Sequence, residues 1–159
     1  MHAQVALVTG ASRGMGRVTA PAPAKQGAQV ALAARRTDTL QQLQQEISLQ
    51  GGVATTIRTD VAVPADIRRR VSHACETYGR LDFAVDSVGT QGPWNSLIDL
   101  PEEEWDRVMK INLKGTFLCL KPESKAILKT RGDAVVNIGS INSFWVSLVA
   151  PPTSPPNMR

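Results

Sequence analysis

The feature that most limits what this chain can become is a glycine-punctuated turn, Thr9-Gly10-Ala11-Ser12-Arg13-Gly14-Met15-Gly16, set directly after the apolar run Val5-Ala6-Leu7-Val8. A short run of strand formers that stops at glycine reads as a buried parallel strand, and residues 14–26 then read as the first helix. Such a turn lets a phosphate reach backbone amides at a helix N-terminus, where the peptide dipoles favour negative charge. A side chain at the contact points would block that approach, so glycine is needed there. A glycine turn by itself is also a common way to join a strand tightly to a helix. Its place between the first strand and the first helix is what points to a dinucleotide.

The same alternation continues along the chain. Val30-Ala31-Leu32-Ala33 reads as a second strand. Thr37-Asp38 offers N-cap oxygens, and Leu40, Leu43 and Ile47 recur at helical spacing up to Gly51-Gly52. Residues 53–58 form a third strand closed by Thr59-Asp60, and Pro64-Ala65-Asp66 opens a helix that runs to about Tyr78 and stops at Gly79. Residues 81–85 are a fourth strand ending near Gly89. After a loop over 90–100, Pro101-Glu102-Glu103-Glu104 starts a helix with acids at its positive end. Its apolar face carries Trp105, Val108, Ile111 and Leu113, with Trp105 expected in the core. Residues 134–138 are a fifth strand. Strands alternating with helices predict an α/β fold, a Rossmann-like doubly wound parallel sheet of about five strands. The dinucleotide-binding domain is expected over residues 1–148. Pro151, Pro152, Pro155 and Pro156 make residues 149–159 a disordered or extended tail, since each proline lacks an amide donor and restrains its predecessor.

Composition narrows the function classes. Hydrophobic residues at 42% and charged residues at 20% are ordinary for a soluble domain. The net charge of +4 does not point to nucleic acid, because the basic residues are scattered. The run Arg68-Arg69-Arg70 lies in a helical pattern and is expected on a solvated face. A basic balance can instead serve an anionic ligand. Cys75 and Cys119 have no second cysteine or histidine at metal-ligand spacing, and His2 and His73 are isolated. No metal site is expected, and the thiols read as reduced and buried in a cytoplasmic protein. The first apolar run is too short for a signal peptide, and no stretch approaches the ~20 apolar residues of a membrane span.

The spacing of Gly10, Gly14 and Gly16 after Thr9 resembles the T-G-x-x-x-G-x-G pattern of the short-chain dehydrogenase/reductase family. Further matches follow in order: Gly27-Ala28-Gln29-Val30 entering the second strand, Asp60-Val61 as the adenine-contacting pair, Gly79-Arg80-Leu81-Asp82 before the fourth strand, Asn112 within its helix, and Gly139-Ser140 after the fifth strand. The resemblance implies hydride transfer between a nicotinamide dinucleotide and a carbonyl or alcohol. It implies a cofactor site formed by Gly10, Ser12, Arg13, Gly14, Met15, Gly16, Arg35, Asp60, Val61 and Gly89. Asn112 and Ser140 are its candidate catalytic residues, for a proton relay and for carbonyl polarisation. At the end of the second strand an acid would bind the ribose of NAD. Ala34 stands there instead, followed by Arg35-Arg36, and with Arg13 these could converge on a 2′-phosphate. NADP is therefore expected over NAD.

The chain also departs from the family. Pro21 and Pro23 lie past the first turn of the first helix, where each costs about 3 kcal/mol or more, and should break or kink it. The fourth strand ends Asp86-Ser87-Val88-Gly89 where the family has Asn-Asn-Ala-Gly. Asp86 is expected to place a negative charge near the cofactor, and Val88 to crowd the nicotinamide ribose. The family's tyrosine–lysine pair would fall at Thr153 and Asn157, and neither can act as the acid. Tyr78 is the only tyrosine, and no lysine follows Lys129. The family's dimer-building helix is largely missing, which should leave the fifth strand as an exposed edge. Three readings follow: an NADP-dependent oxidoreductase by resemblance but inactive as this chain alone, a catalytically silent NADP(H)-binding module, and an unstable fragment of a longer enzyme.

Overall fold

The computed structural model describes residues 3–93, 96–132 and 134–140, with Leu97 by its backbone only. The expected tail, the boundary at residue 148, Trp94, Phe144, Trp145, Thr153 and Asn157 lie outside the described residues.

Five strands pair in parallel in the order β3-β2-β1-β4-β5. They are β1 (Val5–Thr9), β2 (Gln29–Ala34), β3 (Val53–Arg58), β4 (Phe83–Asp86) and β5 (Ala134–Asn137). The helices are α1 (Gly14–Thr19), α2 (Pro21–Lys25), α3 (Thr37–Leu49), α4 (Pro64–Tyr78), α5 (Glu102–Met109) and α6 (Thr116–Thr130), with a π-helical segment, Lys110–Gly115, between the last two.

The two-residue period of β1 explains why both sheet faces are covered. Ala6 and Val8 pack with Ala24 of α2, Leu40, Leu43 and Ile47 of α3 and the linking residue Ala20. Val5 and Leu7 point the other way, into a cluster with Val71 and Ala74 of α4 and Ile127 of α6. A central strand with no polar face before Thr9 can only sit between two helical layers. The doubly wound fold read from the sequence is the fold observed.

Several local expectations are refined. The first helix is interrupted as the prolines require, since α1 stops at Thr19 and α2 starts at Pro21. Ala20 between them keeps α dihedrals (φ −56°, ψ −35°), so Pro21 occupies the first turn of a new segment and the chain remains helical. At α3 the N-cap position is held by Arg36 rather than Thr37 or Asp38, and no side chain caps it. Trp105 is not core: it is 52% exposed, and α5 buries no residue. Arg70 is not on a solvated face either: it is fully buried, while Arg68 and Arg69 are exposed. Three arginines in a row on a helix span too wide an arc to share one face, so one of them turns inward. The helix after the π segment escaped sequence reading because Pro122 lies inside it.

Among the described residues β5 is the outermost strand of the sheet, as expected. Val136 is 52% exposed, whereas Val135 packs against the α4/α6 layer.

Candidate dinucleotide-binding site

The chain leaves β1 towards α1 on one face and leaves β4 towards α6 on the other. The crevice between the carboxyl ends of these adjacent strands is the switch point where ligands bind in open α/β sheets. The glycine turn closes one side of it and Ser87-Val88-Gly89 the other.

The glycines divide by role. A Cβ on Gly10 would lie 2.1 Å from the Ser87 carbonyl oxygen, and one on Gly16 would lie 2.6 Å from the Gly10 carbonyl oxygen. These two allow the turn to fold against β4 and against itself. Gly14 differs: its φ is +55° and nothing lies within 4 Å of a Cβ there. It supplies the left-handed conformation that starts α1 and keeps that side open. Arg13 precedes it in extended conformation, exposed, as does the half-buried Ser12, and Met15 is 59% exposed. An open, glycine-lined turn that leads straight into the first turn of a helix fits a pyrophosphate.

At the end of β2, Ala34 is buried and Arg35 and Arg36 are exposed. Arg36 Nη2 donates to the Ser12 carbonyl at 3.4 Å, which ties the end of β2 to the glycine turn. Ala11 N–H donates to the Ala33 carbonyl at 3.3 Å and reinforces that tie. Among the described residues Arg13 and Arg35 make no ion pair. The residue that ends β2 is Ala34, so no carboxylate stands at that position.

Asp60 follows β3. Its Oδ1 accepts from Ala62 N–H at 2.9 Å, and its own N–H donates to Asp66 Oδ2 at 3.0 Å. Val61 is buried and packs with Ile67 and Cys119, with Val88 and Ile111 against them. Asp60-Val61 thus forms a fixed wall, and Val88 fills the cluster beneath it. Asp86 corrects an expectation. Its side chain is buried, accepts from Thr9 Oγ1 at 2.6 Å and pairs with Arg70 Nη1 at 3.4 Å, so its charge faces the protein interior.

Asn112 sits in the π-helical segment. Its Oδ1 accepts from Thr90 N–H at 2.8 Å and its Nδ2 donates to the Thr90 carbonyl at 2.9 Å. A side chain that satisfies both backbone groups of one residue fixes the loop after Gly89. The π geometry shifts the helix register at that point. Ser140 lies exposed after β5, on the next strand from Gly89. The residues expected to meet a cofactor and Asn112 therefore lie at one end of the sheet, with Ser140 beyond the end of the neighbouring strand.

Tyr78 is not part of this arrangement. It ends α4, which runs back towards the start of the strands, and burial pushes its phenol above the ordinary value. With Gly79, Arg80 and Thr130 it lines a shallow depression at the opposite end of the sheet. Sequence reasoning missed Arg70 and Glu123, which support the floor of the crevice from below. Only a charge recurring within an otherwise apolar helical stripe could have signalled them. Among the described residues no group of acids, cysteines and histidines could hold a metal.

Known proteins resemble this chain throughout. The short chain dehydrogenase family matches residues 4–151. A cyclohexanol dehydrogenase of an Acinetobacter species is 37% identical over 138 residues, 87% of this chain and 55% of that protein. A short-chain type dehydrogenase/reductase of Picea abies is 34% identical, covering 94% of this chain and 56% of that protein. Among solved structures, a short-chain type dehydrogenase/reductase from Mycobacterium marinum superposes with a TM-score of 0.86 at 34% identity, covering 92% of this chain and 59% of that one. A metagenomic short-chain oxidoreductase in complex with NADP superposes with a TM-score of 0.82 at 31% identity, over 88% of this chain and 63% of that one. The chain belongs to the short-chain dehydrogenase family. It spans about half the length of the curated relatives it matches.

Proposed function

We propose that this chain binds NADP(H) across the crevice between β1 and β4, and that it provides the cofactor half of a short-chain dehydrogenase-type oxidoreductase site. The observation that carries the reading is the glycine turn: Gly10 and Gly16 are forced by backbone contacts, while Gly14 leaves open space at the start of α1 beside exposed Arg13 and Arg35. The resemblance to a structure in complex with NADP supports the same choice. Such a cofactor supplies or accepts a hydride at a carbonyl or alcohol carbon. This chain's own groups would bind and orient it. Amides of residues 14–16 would meet the pyrophosphate, Arg35 and Arg13 the 2′-phosphate, Asp60 and Val61 the adenine, and Gly89 would let the ribose come close. Asn112 would hold the loop at Thr90, and Ser140 would donate to the substrate oxygen.

What this polypeptide does not bring is a strong enough acid. Thr153 and Asn157 stand at the positions where the family's pattern requires tyrosine and lysine, and an aliphatic hydroxyl is far too weak to replace a phenol. Binding without turnover is therefore the behaviour expected of the 159-residue chain alone. Titrating the purified chain with NADPH by fluorescence, then adding a panel of ketones and following NADPH absorbance, tests both halves. Saturable binding with no absorbance loss supports the reading. A folded chain that ignores NADPH at millimolar concentration overturns the first half, and ketone-dependent oxidation overturns the second.

A further inference from the structure

Beneath the glycine turn, between β4, α4 and α6, three charged side chains meet out of reach of water. Arg70 and Glu123 are each 0% exposed and Asp86 is 6% exposed. Arg70 Nη2 donates to Glu123 Oε1 at 2.6 Å, and Nη1 to Asp86 Oδ1 at 3.4 Å. Asp86 Oδ1 also accepts the Thr9 hydroxyl at 2.6 Å. Thr9 is the residue before Gly10, whose backbone presses on Ser87. The network therefore braces both walls of the crevice. Asp86 Oδ2 and Glu123 Oε2 have no donor among the described residues.

One guanidinium faces two carboxyl groups. A buried charge without a partner costs far more than a neutral acid, so this cluster is best satisfied when one carboxyl keeps its proton. Asp86 Oδ2 and Glu123 Oε2 each accept nothing among the described residues, so either carboxyl has an oxygen that can carry such a proton, and Arg70 Nε is left without an acceptor beside them. Burial pushes Glu123 up to about 8, with Arg70 pulling it down and Asp86 adding to the rise. The other groups nearby do not supply compensating charge. Cys119 on the same helix is pushed up to about 12 by burial and stays a neutral thiol. Asp66, one turn before Arg70, is engaged by Arg69 and the Asp60 N–H. Lys121 and Lys125 of α6, Lys110 and Lys114 of the π segment, and Arg68 of α4 are exposed, and β5 carries no titratable residue.

We propose that Glu123 is a proton-sensing positioning residue for the dinucleotide crevice. With its proton in place Glu123 leaves the Arg70 charge to Asp86, whose Oδ1 holds Thr9 under the glycine turn. When the proton leaves, two carboxylates compete for Arg70 and the brace under the turn loosens. This inference rests on the reading that the turn receives a dinucleotide.

The test follows the Glu123 carboxyl and the amides of Gly10, Gly14 and Gly16 by NMR from pH 5.5 to about 9.5, the upper end chosen to pass the elevated range open to a buried carboxyl. NADPH affinity is measured at both ends of the range in the wild-type chain and in Glu123→Gln. The turn amides should shift with the same midpoint as Glu123, and the wild-type affinity should fall several-fold across the range while Glu123→Gln stays flat near the acidic value. If Glu123→Gln does not fold, Asp86→Asn serves instead: Glu123 then faces Arg70 alone, and its midpoint should drop by about one unit or more. Turn amides that ignore the Glu123 titration, a Glu123 midpoint below about 6, well under the range of a carboxyl raised by burial, or equal affinity loss in wild type and Glu123→Gln each overturn the proposal. Amides that follow Glu123 in a chain that binds no NADPH would instead refute the dinucleotide reading and leave the proton link standing.

Discussion

Arg70 Nη2 stands 2.6 Å from Glu123 Oε1, and neither side chain exposes any surface. A pair so placed joins α4 to α6 on one side of the sheet, and Arg70 reaches β4 through Asp86 as well. Whether such a network stabilises the fold relative to apolar residues is a separate matter from the cost of breaking it. Desolvation of both partners offsets much of their attraction, but removal of one leaves the other buried and uncompensated.

Arg70→Ala should therefore be among the most damaging single changes in the chain. It removes the only cation that pairs with the two buried carboxyls among the described residues and leaves a large void between α4 and α6. A loss of about 3–5 kcal/mol is expected, a large part of the stability of a domain this size. Urea denaturation midpoints measure it. Arg69→Ala, one residue earlier and exposed, should cost about 0.5 kcal/mol or less, because an exposed ion pair with Asp66 contributes little.

The contrast between those neighbours marks where sequence reading stops. The start at Pro64-Ala65-Asp66 and the stop at Gly79 placed α4, and short apolar runs placed every strand to within a residue or two. The glycine turn was legible because φ and close backbone contact admit only one residue type. Arg70 was not legible, since a buried arginine looks like a surface arginine until its partners, sixteen residues on at Asp86 and fifty-three on at Glu123, are brought to it by the fold. Asp86 was misjudged for the same reason: its neighbourhood is set by Thr9 and Arg70, which only strand pairing reveals. Trp105 was misplaced because an apolar helical stripe reports a face but not whether anything covers it.

Gly10→Ala and Gly14→Ala should separate folding from binding. At Gly10 the new Cβ would sit 2.1 Å from a backbone oxygen, at a φ of +68°, and neither the turn nor β4 can yield without displacing the other. That variant is expected to lose its cooperative thermal transition or its affinity altogether. At Gly14 there is room, so only the left-handed conformation opposes alanine, at about 1–2 kcal/mol. Gly14→Ala should fold with a modestly lower melting temperature and bind NADPH more weakly, which calorimetry and fluorescence titration on the same samples can compare.

Selectivity between NADP and NAD should reside in Arg35 and Arg13. Both are exposed, and neither makes an ion pair among the described residues, whereas Arg36 is engaged by the Ser12 carbonyl. A charge-assisted bond to a phosphate contributes about 1.5–3 kcal/mol, so Arg35→Ala should weaken NADPH binding by roughly ten- to a hundredfold and leave NADH unchanged. The ratio of the two dissociation constants is the measurement. Equal losses for both cofactors would place the 2′-phosphate elsewhere.

Stability itself should fall as the solution turns alkaline, and the sign follows from proton counting. Burial raises the Glu123 carboxyl from an ordinary 4.5 to about 8 in the folded chain. Between those values the native state holds a proton that the unfolded state has released, so each step up in pH favours unfolding. The contribution is complete below the lower value, declines through the interval and is exhausted above the upper one. The melting temperature of the wild-type chain should thus drop between pH 5 and pH 8.5 by about 3 °C or more relative to Glu123→Gln, taking about 1 kcal/mol as the smallest effect. Every other titratable group is common to both proteins, so the difference between the two curves isolates Glu123. A wild-type curve that runs parallel to the variant's would mean that this carboxyl is ionised throughout and that Arg70 neutralises it without help.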